Sequence, residues 1–469
     1  MDHKEPDRVS LEFGAAGLTP AATSLKKRIP GGIYLVLLIA LALPCRSASI
    51  IAPVYNNDTD LKLWYNKPAA IWKEALPTGN GRIGAMTFGG TKHERIQFNE
   101  DTVWSGQRLK PFETDGPENL AEIQKLIFKG KRLEAQKLYD TSIIKDKGQH
   151  WNFSSYLPTG DLWLDFEGHD HVGNYKRELD LNKAISSVTY TCGNIHYKRE
   201  VFVSHPEQCL VVRLTSSKPN SLSLKIRLTH PYKKVRWEEK EVRKDIAAKV
   251  QGDELVLEPK SDDAVKMQVR LKPMIKGGKI LLKKNALVIK NANSVTLYLV
   301  AETNFNNYKD LKKDYRNIAQ TRMQALSKRQ YSKVLENHIQ SHQAIFNRLQ
   351  LTLPDSKNSQ LPTDERIKQF AEGKSDASLV VLILQFGRYT LLTSSRPNTQ
   401  AANLQGIWND SLSPSWNGKY TTNINFEMNY WPVDVCNLRE CIEPFVKKLE
   451  EWSIEGRKTA RLYYGVNKG

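Results

Sequence analysis

Apolar and polar residues alternate from about Leu61 to Thr303, and the alternation has the period of strands. Glu200-Val-Phe-Val-Ser204, Leu210-Val-Val-Arg-Leu214, Leu222-Ser-Leu-Lys-Ile-Arg-Leu228 and Val295-Thr-Leu-Tyr-Leu-Val300 alternate or are rich in Val, Ile and Tyr, with turn residues between such runs. Successive side chains of a strand point to opposite faces, so these runs predict sheets with at least one buried face. Many short strands with few helices predict a large β-sandwich. One helical insertion is predicted over Pro117 to Tyr139, where Leu120, Ile123, Leu126 and Ile127 recur at helical spacing.

From Leu311 to Arg348 the period becomes helical, with charges throughout, as in helices that link two domains. Pro362-Thr-Asp364-Glu365 has the form of a helix start. Leu379, Leu382, Ile383 and Phe386 follow at the spacing of one apolar helix face. Pro444 near a first turn, with Phe445, Leu449 and Trp452 behind it, predicts a further helix. The predicted divisions are an N-terminal extension over 1–49, a sandwich over 50–305, a helical linker over 306–360 and a helical domain over 361–469.

The extension carries a targeting pattern. Lys26-Lys27-Arg28 precede the apolar run Ile33-Tyr-Leu-Val-Leu-Leu-Ile-Ala-Leu-Ala-Leu43, Pro44 breaks it, and Ser47-Ala-Ser49 offers small residues for cleavage. That order is a secretory signal, and the run is short for a bilayer span. The expectation is a secreted or periplasmic protein with no membrane span once the signal, and Cys45 with it, is removed.

Composition changes little. Apolar residues make up 40% and aromatics 9%, as in packed globular proteins. A net charge of +18 raises nucleic acid as a partner. The lysines are scattered, as in Lys279-Ile-Leu-Leu-Lys283-Lys284, and no basic helix interleaves them with stacking aromatics, so nucleic acid is set aside. No two cysteines form a Cys-x-x-Cys pair. Cys192 and Cys209 could be core thiols or one disulfide.

Three motifs invite chemistry and read better as structure. Gly79-Asn-Gly81-Arg-Ile-Gly84 matches a dinucleotide fingerprint, but strand-like residues follow where a helix should open, so hairpin glycines are expected. His338 and His342 stand four apart, but Ile339 occupies the place of the metalloprotease Glu, and a solvated or interdomain helix face is expected. His169-Asp-His171 reads as a polar loop, so no metal and no cofactor is expected. For the polar-aromatic loop Asn99-Glu100-Asp101-Thr-Val-Trp104-Ser-Gly106, binding and packing weigh equally.

The densest chemistry lies in Asn423-Ile-Asn425-Phe-Glu427-Met-Asn429-Tyr-Trp431-Pro432, with Asn403-Leu-Gln405-Gly-Ile-Trp408-Asn409 upstream. Each buried amide needs several partners, so core segments do not spend amides this way, whereas a pocket that grips sugar hydroxyls does. If Asn423 to Asn425 is extended, both amides point to one side. Trp408 and Trp431 could then stack on the apolar face of a sugar. The competing reading is an Asn-rich turn network that braces the helix after Pro432.

These residues resemble glycoside hydrolase family 95, the inverting α-L-fucosidases and their α-L-galactosidase relatives. Further landmarks are Trp64-Tyr65, Trp72-Lys-Glu74-Ala-Leu-Pro77-Thr-Gly79-Asn80-Gly81, the Asn99–Gly106 loop, Pro158-Thr-Gly160-Asp161, Gly387-Arg388-Tyr389 and Ser394-Ser395-Arg396-Pro397. The resemblance implies a β-sandwich, a helical linker and an (α/α)6 barrel that holds the pocket. It implies a Glu as general acid and a water held by two Asn amides, carried over to Asn423 and Asn425, with an Asp in support. An amide alone is a very poor base, so a carboxylate partner is needed. Trp408, Asn409, Thr421, Glu427, Asn429 and Trp431 are the candidate substrate contacts. The acid and the supporting Asp are expected beyond Gly469, so the chain is expected to hold only the first helices of the barrel and to be inactive alone. Fucosidases of the family often carry His where Thr421 stands, and the smaller side chain could admit the C6 hydroxyl of L-galactose. A carbohydrate-binding remnant and a phosphorylase are the alternatives; an amide-held water argues against the latter.

Overall fold

In this computed structural model the described residues are 61–107, 114–144, 154–233, 243–261, 263–354 and 357–467. The signal segment and Cys45 lie outside them. The strand-like alternation becomes two antiparallel sheets. The first runs in the order Lys62–Tyr65, Gly173–Asp180, Ile185–Cys192, Ile195–Ser204, Cys209–Ser216, Ser294–Thr303, Met267–Lys276, Glu254–Leu257 and Lys249–Gln251. The second runs Lys279–Lys283, Ala286–Ala292, Leu222–Lys233, Gly160–Phe166, His93–Glu100, Ile83–Thr87 and Leu76–Gly79, with Arg243–Ala247 beside Leu222–Lys233. Val201, Leu210, Val212, Leu297 and Leu299 of the first sheet meet Ile96, Phe98, Leu162, Leu164 and Ile226 of the second in one buried core. Fully burying each such side chain contributes roughly 1.5–3 kcal/mol.

The alternate residues at the centre of the first sheet are not solvated. The predicted insertion forms α1 (Gly116–Phe128) and α2 (Arg132–Tyr139). The predicted linker forms α3 (Tyr315–Ser327) and α4 (Tyr331–Phe346). Ala319, Met323, Leu326 and Val334 of α3 and α4 pack on Phe202, Cys209, Val211, Tyr298 and Val300, the outward positions of the first sheet. That part of the sheet is therefore apolar on both faces, while Lys176, Glu178, Lys198 and Glu200 keep the strands beside it polar outside. His338 Nε2 lies 2.9 Å from the Lys183 carbonyl and His342 Nε2 lies 2.8 Å from that of Leu181, so each ring donates there as the Nε2–H tautomer. These histidines face the sandwich rather than solvent. Cys192 and Cys209 are separate free thiols.

A second core joins sandwich to helices. It gathers Leu76, Leu179 and Leu181 with Phe346, Leu379, Leu382, Tyr389, Phe426 and Tyr430. α5 (Thr363–Ala371) follows Pro362, and Arg366 of α5 pairs bidentately with Asp376, whose carboxylate caps α6 (Ala377–Ser394) through Leu379 N. On α6 the predicted face is corrected. Leu379 and Leu382 are buried, but Ile383 is 59% exposed, and Gln385, Arg388 and Tyr389 are buried in its place. The helix is apolar nearly all round, and by length and composition it could cross a membrane, yet 56% of it is buried in the protein. Which side faces inward is decided by its partners: Arg388 donates to the carbonyls of Phe346 and Cys436, and Tyr389 Oη to that of Pro77. After the one-turn α7 (Asn425–Met428), α8 (Glu443–Tyr464) buries Lys448 rather than Leu449, which is exposed. Lys448 Nζ bonds Gln400 Oε1 and Glu451, which offsets its burial.

Candidate functional site

The fingerprint-like glycines form a hairpin between Leu76–Gly79 and Ile83–Thr87, as expected, and the same residues seat the helical part. Gly81 turns at φ +92 and its N–H donates to the Thr393 carbonyl at 2.8 Å. A Cβ on Gly79 would lie 2.4 Å from that carbonyl oxygen, and one on Gly84 would lie 2.8 Å from Ile407. The glycines are therefore a seat for the chain from Thr393 to Trp408.

That seat fixes Trp408 and Asn409 and corrects the expectation that both contact substrate, Trp408 by stacking on the sugar. Trp408 is 8% exposed, packs with Ala75, Met86 and Ile407, and donates its indole N–H to the Thr78 carbonyl at 3.0 Å. Asn409 is buried, its amide donates to the carbonyls of Tyr156 and Ser411, and its backbone pairs with Asn99. Neither offers a surface to a ligand.

The Asn99–Gly106 loop lies on the same seam. Asp101 Oδ2 accepts from the Gln400 N–H at 2.6 Å. Burial, with the Glu100 carboxylate beside it, holds the Asp101 carboxyl well above the usual carboxylate range. Trp104 stacks on Tyr420, with ring centroids 5.9 Å apart. Tyr420 in turn meets Phe426 edge-on at 5.4 Å. Sequence reasoning missed this row. Its signal is the spacing of Tyr420, Phe426 and Tyr430 through the amide-rich segment, which the amides overshadow.

The segment itself is not extended, and the expectation for Asn423 to Asn425 is corrected. Asn423 lies in a turn, and Asn425 opens α7. Phe426, 1% exposed, anchors that turn of helix from behind against Phe445 at 4.6 Å and Trp452 at 5.1 Å. Asn423 in the preceding turn, and Asn425 and Glu427 on α7, are exposed. The Asn429 amide donates to the Asn403 carbonyl at 3.2 Å, so Asn429 braces the turn. Trp431 is 62% exposed. Thr421 is half-buried at φ +47, a left-handed conformation unusual for a β-branched residue, and its carbonyl accepts from Phe426 N at 3.1 Å. The structure thus gathers Thr421, Asn423, Asn425, Glu427, Asn429 and Trp431 on one short stretch, and places Trp408 and Asn409 in the seam.

The exposed set is two primary amides, one carboxylate and one indole. It can grip hydroxyls from both donor and acceptor sides and cover one apolar ring face. Among the described residues no group of three or more His, Cys, Asp or Glu is arranged to hold a metal ion.

The chain is similar to known proteins over most of its length. Residues 63–308 match the glycosyl hydrolase family 65 N-terminal domain, and residues 330–469 match the glycosyl hydrolase family 95 catalytic domain. "Alpha-L-fucosidase 2" of Arabidopsis thaliana is 34% identical over 87% of this chain and 50% of its own length. "Probable alpha-fucosidase A" of Aspergillus niger is 29% identical over 92% of this chain and 54% of its own. The chain spans about half the length of these curated relatives.

Proposed function

The chain belongs to glycoside hydrolase family 95, and on that premise we propose that it serves an exported hydrolase that removes terminal α-L-fucosyl residues from glycans with inversion. Residues 50–305 act as the sandwich, 306–360 as the linker, and 361–469 as the first helices of an (α/α)6 barrel. Asn423 and Asn425 hold the attacking water through their side-chain oxygens, while Glu427 and Trp431 contact the sugar. Inversion needs one carboxylate to take the proton of that water and a second carboxyl group, about 6.5–9.5 Å from it, to protonate the leaving oxygen.

The observation that carries this reading is the exposure of Asn423, in the turn before α7, and of Asn425 and Glu427 on that one-turn helix, which Phe426 locks from beneath. Locked backbone with free amide heads suits positioning, because orientation is what an amide can supply to a water it cannot deprotonate. By the same chemistry the segment binds α-L-fucosides. Calorimetric titration with an aryl α-L-fucoside tests this. The expected result is saturable binding that Glu427→Gln weakens; no binding, or equal binding by the variant, contradicts it.

A second reading concerns the sugar. Thr421 is small and stands at the head of the amide segment, which would leave room for a C6 hydroxyl. Comparing affinities for L-fucose and L-galactose in the native chain and in Thr421→His tests it. The native chain should accept both and the variant should favour L-fucose; an unchanged ratio contradicts the steric idea.

A further inference from the structure

The ends of both sheets and the loop at Leu412–Ser413 enclose a cleft of about 310 Å³. This lies at the lower end of the roughly 300–1,000 Å³ of small-molecule sites. Nothing in the reading above uses it. We propose that this cleft is a second saccharide subsite, which takes a neutral sugar unit from the interior of the glycan whose terminal residue sits at Asn423 and Asn425; it rests on that reading.

Its walls are mixed in the way sugars require. Trp104, Pro231 and Leu412 give apolar surface, and Asp263, Lys266 and Ser413 give polar heads. The polar heads are fixed in advance. Asp263 Oδ1 accepts from Gly106 N at 2.7 Å, which leaves its second oxygen to accept from a hydroxyl. Lys266 Nζ donates to the Ser261 carbonyl, which leaves two protons to donate. The loop that carries them is strapped on both sides: Ala264 N donates to the Gly106 carbonyl at 2.8 Å, and Lys266 N to Asn304 Oδ1 at 2.8 Å. One carboxylate and one ammonium together select a neutral ligand with both donor and acceptor groups, which describes a sugar better than a phosphate or an acid.

The cleft wall is joined to the amide segment through packing. Trp104, on its wall, stacks on Tyr420, and Tyr420 meets the buried Phe426 beneath Asn425.

The test measures binding of L-fucose, lactose and a fucosylated lactose to the full 469-residue chain by calorimetry or saturation-transfer NMR. Asp263→Asn keeps an acceptor for Gly106 N and should keep the native melting temperature. Asp263→Asn and Lys266→Gln should each weaken lactose and fucosylated lactose by about ten-fold, the loss of one charged hydrogen bond, and leave L-fucose unchanged. Asn423→Ala should do the reverse, weakening L-fucose and sparing lactose. Lactose that fails to bind, or binds both cleft variants as it binds the native chain, overturns the subsite. Failure of L-fucose to bind, with lactose binding intact, overturns the reading of the amide segment instead.

Discussion

Asn99 and Asn409 exchange two hydrogen bonds across the seam between sandwich and helices: Asn409 N donates to Asn99 Oδ1 at 3.0 Å, and Asn99 Nδ2 donates to the Asn409 carbonyl at 3.0 Å. One side chain here does what a neighbouring strand would do for the other's backbone. Both residues are buried, so removing either side of the pair leaves polar atoms dry. Asn99→Ala should lower unfolding free energy by about 1–3 kcal/mol. Asn409→Ala should cost a similar amount through the Tyr156 and Ser411 carbonyls it would orphan. Denaturant unfolding measures both, and Asn409→Ala should leave L-fucose affinity unchanged. A loss of sugar binding without a loss of stability would return Asn409 to the ligand site.

The seam makes opposite predictions for two glycines. Gly79→Ala would set a Cβ 2.4 Å from the Thr393 carbonyl oxygen, a backbone atom that cannot step aside cheaply. It should destabilise by about 1–3 kcal/mol. Gly387 lies inside α6 with nothing near its Cβ position. Gly387→Ala should stabilise by about 0.5–1 kcal/mol. Equal shifts in melting temperature for the two variants would contradict this account of the seat.

Much of the fold was legible in the sequence, because strand alternation is imposed by one shared core. Leu210, Val212, Leu297 and Leu299 announce that core directly. The outward residues Phe202, Val211 and Tyr298 are apolar as well, and the helices that cover them could not be assigned to that face from periodicity alone. The same limit governs α6, where Ile383 and Leu382 are equally apolar and only the partners of Arg388 and Tyr389 decide which is buried. At the candidate site, residue type pointed to amides and aromatics but not to their company. Trp408 and Trp431 look alike in sequence, yet one is 8% and the other 62% exposed. Nothing local distinguishes them; Gly84, far away in the chain, makes the room that Trp408 fills.

Acid should loosen the join between α4 and the sandwich. Burial lowers the pKa of His338 to about 4, with Arg396 working in the same direction, and burial and then the charge of His338 lower that of His342 to about 3. An unfolded His titrates near 6.5. The folded state therefore excludes the charged rings. Their contribution is complete above about pH 6.5 and is lost as pH falls toward 4, by at most about 1.4 kcal/mol per unit and per ring. Urea midpoints at pH 7, 6 and 5 should fall in that order, and His342→Gln should flatten the trend. A midpoint that rises on acidification contradicts the sign.

Trp416 offers a test of strain. It sits at φ +49 and ψ +32, and 79% of it is exposed. A left-handed conformation costs a bulky residue about 1–2 kcal/mol, and exposed packing returns little of that. Trp416→Gly should therefore raise the unfolding free energy by about 1 kcal/mol. A fall in stability would mean that the indole holds the loop in place.

Asn423 and Asn425 are proposed here as the sugar-gripping pair at the start of α7. Calorimetric titration of L-fucose into the native 469-residue chain and into Asn423→Ala and Asn425→Ala tests it most directly, since both residues are exposed and their loss should leave the melting temperature unchanged. The native chain should bind saturably, and each variant at least about ten-fold more weakly. Equal affinity in all three proteins would contradict it.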